Sequence, residues 1–107
     1  MRNPEETIQI GERIIQVIKT IYDPEIPINI YDLGLIYEVH VEDNGLAHVK
    51  MTLTAPNCPE AERLPVEVHD RVLEVDGVSD VDVELVFDPP WDQEMMSETA
   101  LLELGFL

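Results

Sequence analysis

The sequence predicts a small two-layer α+β sandwich: a three-stranded sheet with two main helices and a short C-terminal helix, in the order α-β-β-α-β-α. Three observations carry this. Two stretches repeat apolar residues at helical spacing, three alternate apolar with polar side chains, and Asp23-Pro24, Asn44-Gly45 and Asp76-Gly77 punctuate them. The amphipathic helices and the sheet must each bury one face, and packing them together satisfies both. At 107 residues, 45% of them apolar, the chain is read as one domain over residues 1–107 with a modest core.

Asn3-Pro4-Glu5-Glu6 reads as a helix start, with Asn3 as cap and Pro4 in the first turn. Ile8, Ile14, Ile15, Ile18 and Ile21 form its apolar stripe, and Asp23-Pro24 ends it. Asp23 to Gly34 is a long connection, too apolar for a solvated linker, so Ile26, Ile28 and Ile30 are expected to tie it to the core. Structureless loops of this length are uncommon in compact domains and are often functional. Tyr37, Val39 and Val41, then Ala47, Val49, Met51 and Leu53, alternate with polar residues that include Thr52 and Thr54. A three-residue turn with Gly45 left-handed pairs Val41 with Ala47 and Val39 with Val49; a two-residue turn would set apolar residues opposite polar ones.

The second helix is expected from about Pro59 to Val75, with Ala61, Leu64, Val68, Val72 and Val75 on one face. Pro65 falls inside this pattern and should break a hydrogen bond or kink the helix, and Gly77 supplies the left-handed stop. Val81, Val83, Leu85 and Phe87 read as the third strand. Ser97 caps a last helix through Leu104, stopped by Gly105. Trp91, Met95 and Met96 are read as packing that helix onto the body.

Six basic residues against 23 acidic ones give a formal charge of −17, which disfavours both phosphate backbones and anionic membrane surfaces. No apolar run approaches the roughly 20 residues of a membrane span. The N-terminus lacks the apolar stretch of a signal peptide, and with a single cysteine the chain is expected in a reducing cytoplasm.

That cysteine, Cys58, stands where a strand pattern stops and a helix pattern begins. Pro59 suits a first helical turn, which puts Cys58 at or beside the N-cap, where unpaired N–H groups and the helix dipole favour a thiolate. Glu60 and Glu62 act in the opposite direction. Asp23, Glu25 and Asp32 are three carboxylates in the apolar loop, suited either to oxygen ligation or acid/base work, or to local structure: Asp23 closing the helix, Asp32 bonding the N–H groups of the Leu33-Gly34 turn. His40 and His48 face one another in the chosen register but have no evident third ligand, so they are read as a solvated face. His69 is read as a surface residue.

Asp23-Pro24-Glu25-Ile26-Pro27, then Tyr31-Asp32-Leu33-Gly34-Leu35-Ile36-Tyr37, then Thr54-Ala55-Pro56-Asn57-Cys58-Pro59, ending with Trp91 through Leu104, resembles the metal–sulfur cluster assembly family typified by SufT and PaaD. The resemblance spans nearly the whole chain, and the ordered set of motifs is what makes it specific. It implies a small α+β fold and a cytoplasmic factor that helps mature iron–sulfur proteins, not a metabolic enzyme. It maps the family's cysteine onto Cys58, its threonine onto Thr54 and its acidic loop residues onto Asp23, Glu25 and Asp32. Asn57 stands where glycine is common. PaaD-type members carry an extra cysteine-bearing tail; this chain stops at Leu107, which favours the SufT-like branch.

The leading expectation is therefore an accessory factor that handles iron or an iron–sulfur cluster in transit. Cys58 and Thr54 would contact the cargo, with Asp23, Glu25 and Asp32 as further candidate metal ligands. Its partners would be assembly proteins and client apoproteins, with a homodimer bringing two copies of Cys58 together. The alternatives are an acidic docking adapter without metal or thiol chemistry and, ranked last for want of a partner base, a thiol-dependent enzyme.

Overall fold

A computed structural model describes residues 4–23, 26–54 and 63–106. Helix α1 (Pro4–Ile18) opens with Glu5 and Glu6, which oppose the positive end of its dipole. It buries Ile10, Ile14 and Ile18, one residue per turn. Two expectations are corrected here. Ile8 is 61% exposed, and Ile10 takes its place on the core face. The helix also ends at Ile18 rather than at Asp23-Pro24. Thr20 and Ile21 donate their N–H groups to Val17 and Ile18, tightening the last turn, and the Thr20 hydroxyl donates to Val17 O at 2.6 Å. Asn3 lies outside the described residues.

The following segment folds back on itself. Tyr22 bridges Asn29 in antiparallel fashion, Ile30 N donates to Ile21 O at 2.9 Å, and Asp23 N donates to Ile28 O at 3.3 Å. Ile21, Ile28, Ile30, Leu33 and Leu35 are buried, and Ile26 packs against them half-buried. The loop is tied to the core as its isoleucines predict.

Strands β1 (Ile36–Val41) and β2 (Leu46–Met51) form the expected hairpin, with Val39 opposite Val49, His40 opposite His48 and Val41 opposite Ala47. Gly45 has φ 91°, Glu42 N donates to Leu46 O, and Gly45 N donates to Glu42 O, which closes the three-residue turn. The register slips between Ile36 and Glu38.

Beyond β2 the chain departs from strict alternation. Thr52, expected on the polar face, is fully buried, as are Met51 and Leu53 on either side, and its N–H donates to Leu35 O at 2.8 Å, one step beyond the Ile36–Met51 pair.

Helix α2 is described over Arg63–Leu73 and buries Leu64, Val68 and Val72, with Val75 also buried just beyond it. Pro65 sits in the first turn of this described helix, where an N–H would have no partner within the segment. Pro59 and Ala61 lie outside the described residues. Gly77 has φ 98°, as a left-handed stop requires. Strand β3 (Asp80–Leu85) pairs parallel with β2, so β2 is central in the order β1-β2-β3. A helical crossover is the connection a parallel pair needs. Phe87 is not part of β3 and is 41% exposed. Helices α1 and α2 pack against each other and on the sheet, covering Ala47, Val49, Met51 and Val81.

The C-terminal stretch lies back on the body. Asp92 caps a 3-10 turn (Gln93–Met95), and Ser97 caps helix α3 (Glu98–Glu103) by accepting from Ala100 N at 3.2 Å. The Trp91 indole donates to Leu33 O at 2.8 Å, and Met96 and Ala100 are buried. Met95 remains 36% exposed. The elements follow the α-β-β-α-β-α order of an α+β fold.

Candidate functional site

The parallel β2–β3 pair is joined through α2, and the connection that leaves the carboxyl end of β2 is where the sequence puts its candidate thiol. The carboxyl end of β2 leads through Thr52, Leu53 and Thr54 into the connection to α2 that carries Cys58. The Leu35–Thr52 hydrogen bond fastens the end of the acidic loop to the start of that connection. The two segments that carry the site motifs are therefore joined by backbone at one point. Cys58, Glu25, Glu60 and Glu62 lie outside the described residues; Thr54 is half-buried.

Asp23 is 9% exposed, and its Oδ1 accepts from Ile26 N at 3.1 Å. This bond is local, but it lies within the loop; Asp23 does not close α1, which ends at Ile18. Asp32 departs from its expected role. The N–H groups of Leu33 and Gly34 donate to the Asn29 and Tyr31 carbonyls instead, leaving nothing there for Asp32 to bond. Its carboxylate accepts from Asn29 Nδ2 at 2.8 Å, while Asp32 N donates to Asn29 Oδ1 at 2.9 Å. Asn29 was missed in the sequence, although an Asn three residues before an Asp in a turn signals such reciprocal side-chain bonds. The Asp32 carbonyl also accepts from Ser97 N at 2.8 Å, tying the loop to the cap of α3.

Thr52 is a second residue that alternation hid. Its hydroxyl is buried without a hydrogen-bond partner among the described residues, an unusual condition for a buried polar group.

On the outer face of the sheet the His40 and His48 rings stack at 6.0 Å between centroids. His48 Nε2 bonds Glu42, and Nδ1 meets Asp82 Oδ2 at 3.3 Å. The Glu42 carboxylate, with Asp82 in a lesser role and burial opposing both, holds the His48 pKa above its usual 6.5. Glu42 reaches His48 from the end of the hairpin, and Asp82 enters because β3 lies parallel beside β2. No three His, Cys, Asp or Glu side chains among the described residues converge as a metal-binding group. His69 pairs with Asp70 at 3.1 Å on α2.

An open groove of about 880 Å³ runs between the 31–38 segment and the 88–97 turn. Gly34 holds its two walls together: with φ 90°, a Cβ there would lie 2.5 Å from the Met95 carbonyl oxygen. The Tyr37 hydroxyl donates to Pro89 O at 2.8 Å across the same junction. No helix among the described residues is long and apolar enough to cross a membrane.

The family of iron–sulfur cluster assembly proteins matches residues 11–85, and the chain belongs to that family. It is 53% identical over 102 residues to an Fe-S protein maturation auxiliary factor of Porphyromonas gingivalis, covering 95% of this chain and 97% of that one. The Fe-S protein maturation auxiliary factor SufT of Staphylococcus aureus is 40% identical over 85 residues, covering 79% and 97%. A crystal structure of a domain of unknown function from Bacillus anthracis superposes with a TM-score of 0.88 at 32% identity, covering 98% of this chain and all of that one.

Proposed function

We propose that this protein is an auxiliary factor in the maturation of iron–sulfur proteins, acting in the cytoplasm on iron or a cluster as cargo and not as an enzyme. The observation that carries the reading is the likeness to the Porphyromonas gingivalis maturation factor, which is 53% identical and covers 95% of this chain. Cys58 contacts iron, sulfide or the client's cluster, because a thiolate is the soft ligand such cargo needs and the chain has one cysteine. One thiolate cannot complete a cluster's ligand set, so a second chain, a client or a small thiol supplies the rest. Thr54 stands on the same connection. Asp23 and Asp32 already accept local hydrogen bonds, so their part is to hold the loop against the root of the Cys58 connection, with Glu25 free to be tested as a ligand in its own right. Assembly proteins and client apoproteins are the partners.

The test is complementation. Cells lacking the native protein receive wild type or Cys58→Ala, and an iron–sulfur client enzyme is assayed together with the soluble level of the variant. Loss of client activity with a normal level of folded variant is expected. Full client activity with Cys58→Ala would remove the thiol from the mechanism. Anaerobic incubation with iron and sulfide, read by absorbance and oligomeric mass, then shows whether two copies share the cargo.

A further inference from the structure

We propose that the groove between the 31–38 segment and the 88–97 turn docks a short segment of a partner protein in which lysine or arginine side chains flank an apolar anchor. The groove is open along its length, and its volume of about 880 Å³ leaves room for the side chains of a docked segment. Its lining is of two kinds. Tyr31, Tyr37 and Met95 offer an apolar surface, and Met95 is 36% exposed although its neighbour Met96 is buried. Asp32, Glu38 and Asp88 supply three carboxylates.

Charge selects the occupant. Lys50, the basic residue of the lining, pairs with Glu38 at 3.6 Å, which leaves Asp32 and Asp88 as the lining's excess of negative charge. The Asp88 carboxylate has no hydrogen bond or ion pair among the described residues. No lysine or arginine follows Arg71 in the chain, so the 88–97 wall has no base of its own. An anionic ligand would meet uncompensated carboxylates. A second copy of this chain would bring a further formal charge of −17 to the same place. A cationic segment with an apolar side chain satisfies both parts of the lining. Gly34 and the Tyr37–Pro89 bond make the walls continuous with the core, so the groove is formed before the partner arrives.

The inference rests on the maturation reading only in taking the partner to be a client or assembly protein. Its test uses the full chain and three fluorescein-labelled heptapeptides: Gly-Lys-Leu-Lys-Phe-Lys-Gly, the same with Glu for Lys, and the same with Ala for Leu and Phe. At physiological salt the first binds and the other two do not, and amide resonances of Gly34, Glu38 and Ser97 move with it. The pair Glu38→Gln with Asp88→Asn weakens binding by about tenfold, while Glu98→Gln with Glu103→Gln, an equal charge change on α3, alters it by less than about twofold. Equal weakening by both pairs would mean general attraction to an acidic surface and overturns the groove. So would binding indifferent to the apolar anchor, or groove resonances that shift with the concentration of the protein alone, which would make the occupant a second copy. Peptide binding needs neither iron nor Cys58. Its failure beside a Cys58-dependent client assay refutes the groove alone, and its success beside a client assay indifferent to Cys58 refutes the thiol mechanism alone.

Discussion

Replacing Gly34 by alanine tests how the C-terminal stretch is locked to the body. Gly34 combines two demands that few positions make together. Its φ of 90° costs an L-residue roughly 1–2 kcal/mol. Its missing Cβ leaves room for the Met95 carbonyl oxygen and carbon, which a methyl would approach to 2.5 and 2.8 Å. That obstacle is backbone, so relief requires moving the Gln93–Met95 turn and straining Ser97 N to Asp32 O, at a further ~1–3 kcal/mol for overpacking. The sum, roughly 2–5 kcal/mol, is a large share of the ~5–15 kcal/mol by which domains of this size are stable. Urea unfolding would be followed by circular dichroism and by the fluorescence of Trp91, the single tryptophan, whose indole bonds Leu33 beside the substitution. The midpoint should fall steeply with an unchanged slope. Gly105→Ala separates the two costs, since φ there is 82° but nothing lies within 4 Å of the added methyl; it should cost the dihedral part only. Equal effects at Gly34 and Gly105, or a Gly34 variant within about 1 kcal/mol of wild type, would refute the close approach to Met95.

Other perturbations probe the loop and the sheet. Thr52→Val removes a buried hydroxyl that has no partner, so stability should hold or rise by up to ~1 kcal/mol; a fall beyond ~1 kcal/mol in the same urea assay would mean the hydroxyl is bonded. Asn29→Ala removes both reciprocal bonds to Asp32 and should cost ~1–2 kcal/mol and speed proteolytic cleavage within residues 22–34; unchanged cleavage would show that the backbone alone holds the loop. The raised pKa of His48 means that the folded state binds its proton more tightly than the unfolded chain. Its contribution is therefore present in full below the unfolded value and lost as pH rises through the folded one. The difference in urea midpoint between wild type and His48→Gln should be larger at pH 5.5 than at pH 8.5; a difference that does not change with pH would contradict the contacts to Glu42 and Asp82.

What could be read from the sequence was what short range determines. The Val39–Val49 and Val41–Ala47 pairs follow from alternation and one glycine turn, and Ser97 declares the last helix by itself. Residues placed by distant partners were not legible. Ile10, by contrast, was legible and misread: Ile10, Ile14 and Ile18 repeat every four residues along one face, while Ile8 stands about 120° around the helix from Ile14. Asp82 reaches His48 only because β3 runs parallel to β2, and alternation says nothing about strand direction. Thr52 reads as polar-face, yet it is buried together with Met51 and Leu53, because past the last strand residue both sides of the chain are covered by the body. In the candidate site, Asp23 and Asp32 were found as residue types in an apolar loop. Asp32's partner was misjudged, because local turn N–H groups and a side-chain amide compete for a carboxylate on nearly equal terms.

Among the described residues the sheet has three strands in the order β1-β2-β3, and β3 lies at one edge with no further strand beside it. Asp80, Asp82 and Glu84 project to solvent along it. If two molecules laid these edges together, carboxylates would stand opposite carboxylates at every other position, and like charges so placed repel. The acidity of this strand therefore guards the fold against growing strand upon strand. The guard is chemical and can be removed by protons: as acid neutralises the carboxylates their repulsion fades, and the protein should be most prone to ordered aggregation near its isoelectric point of about 4.1.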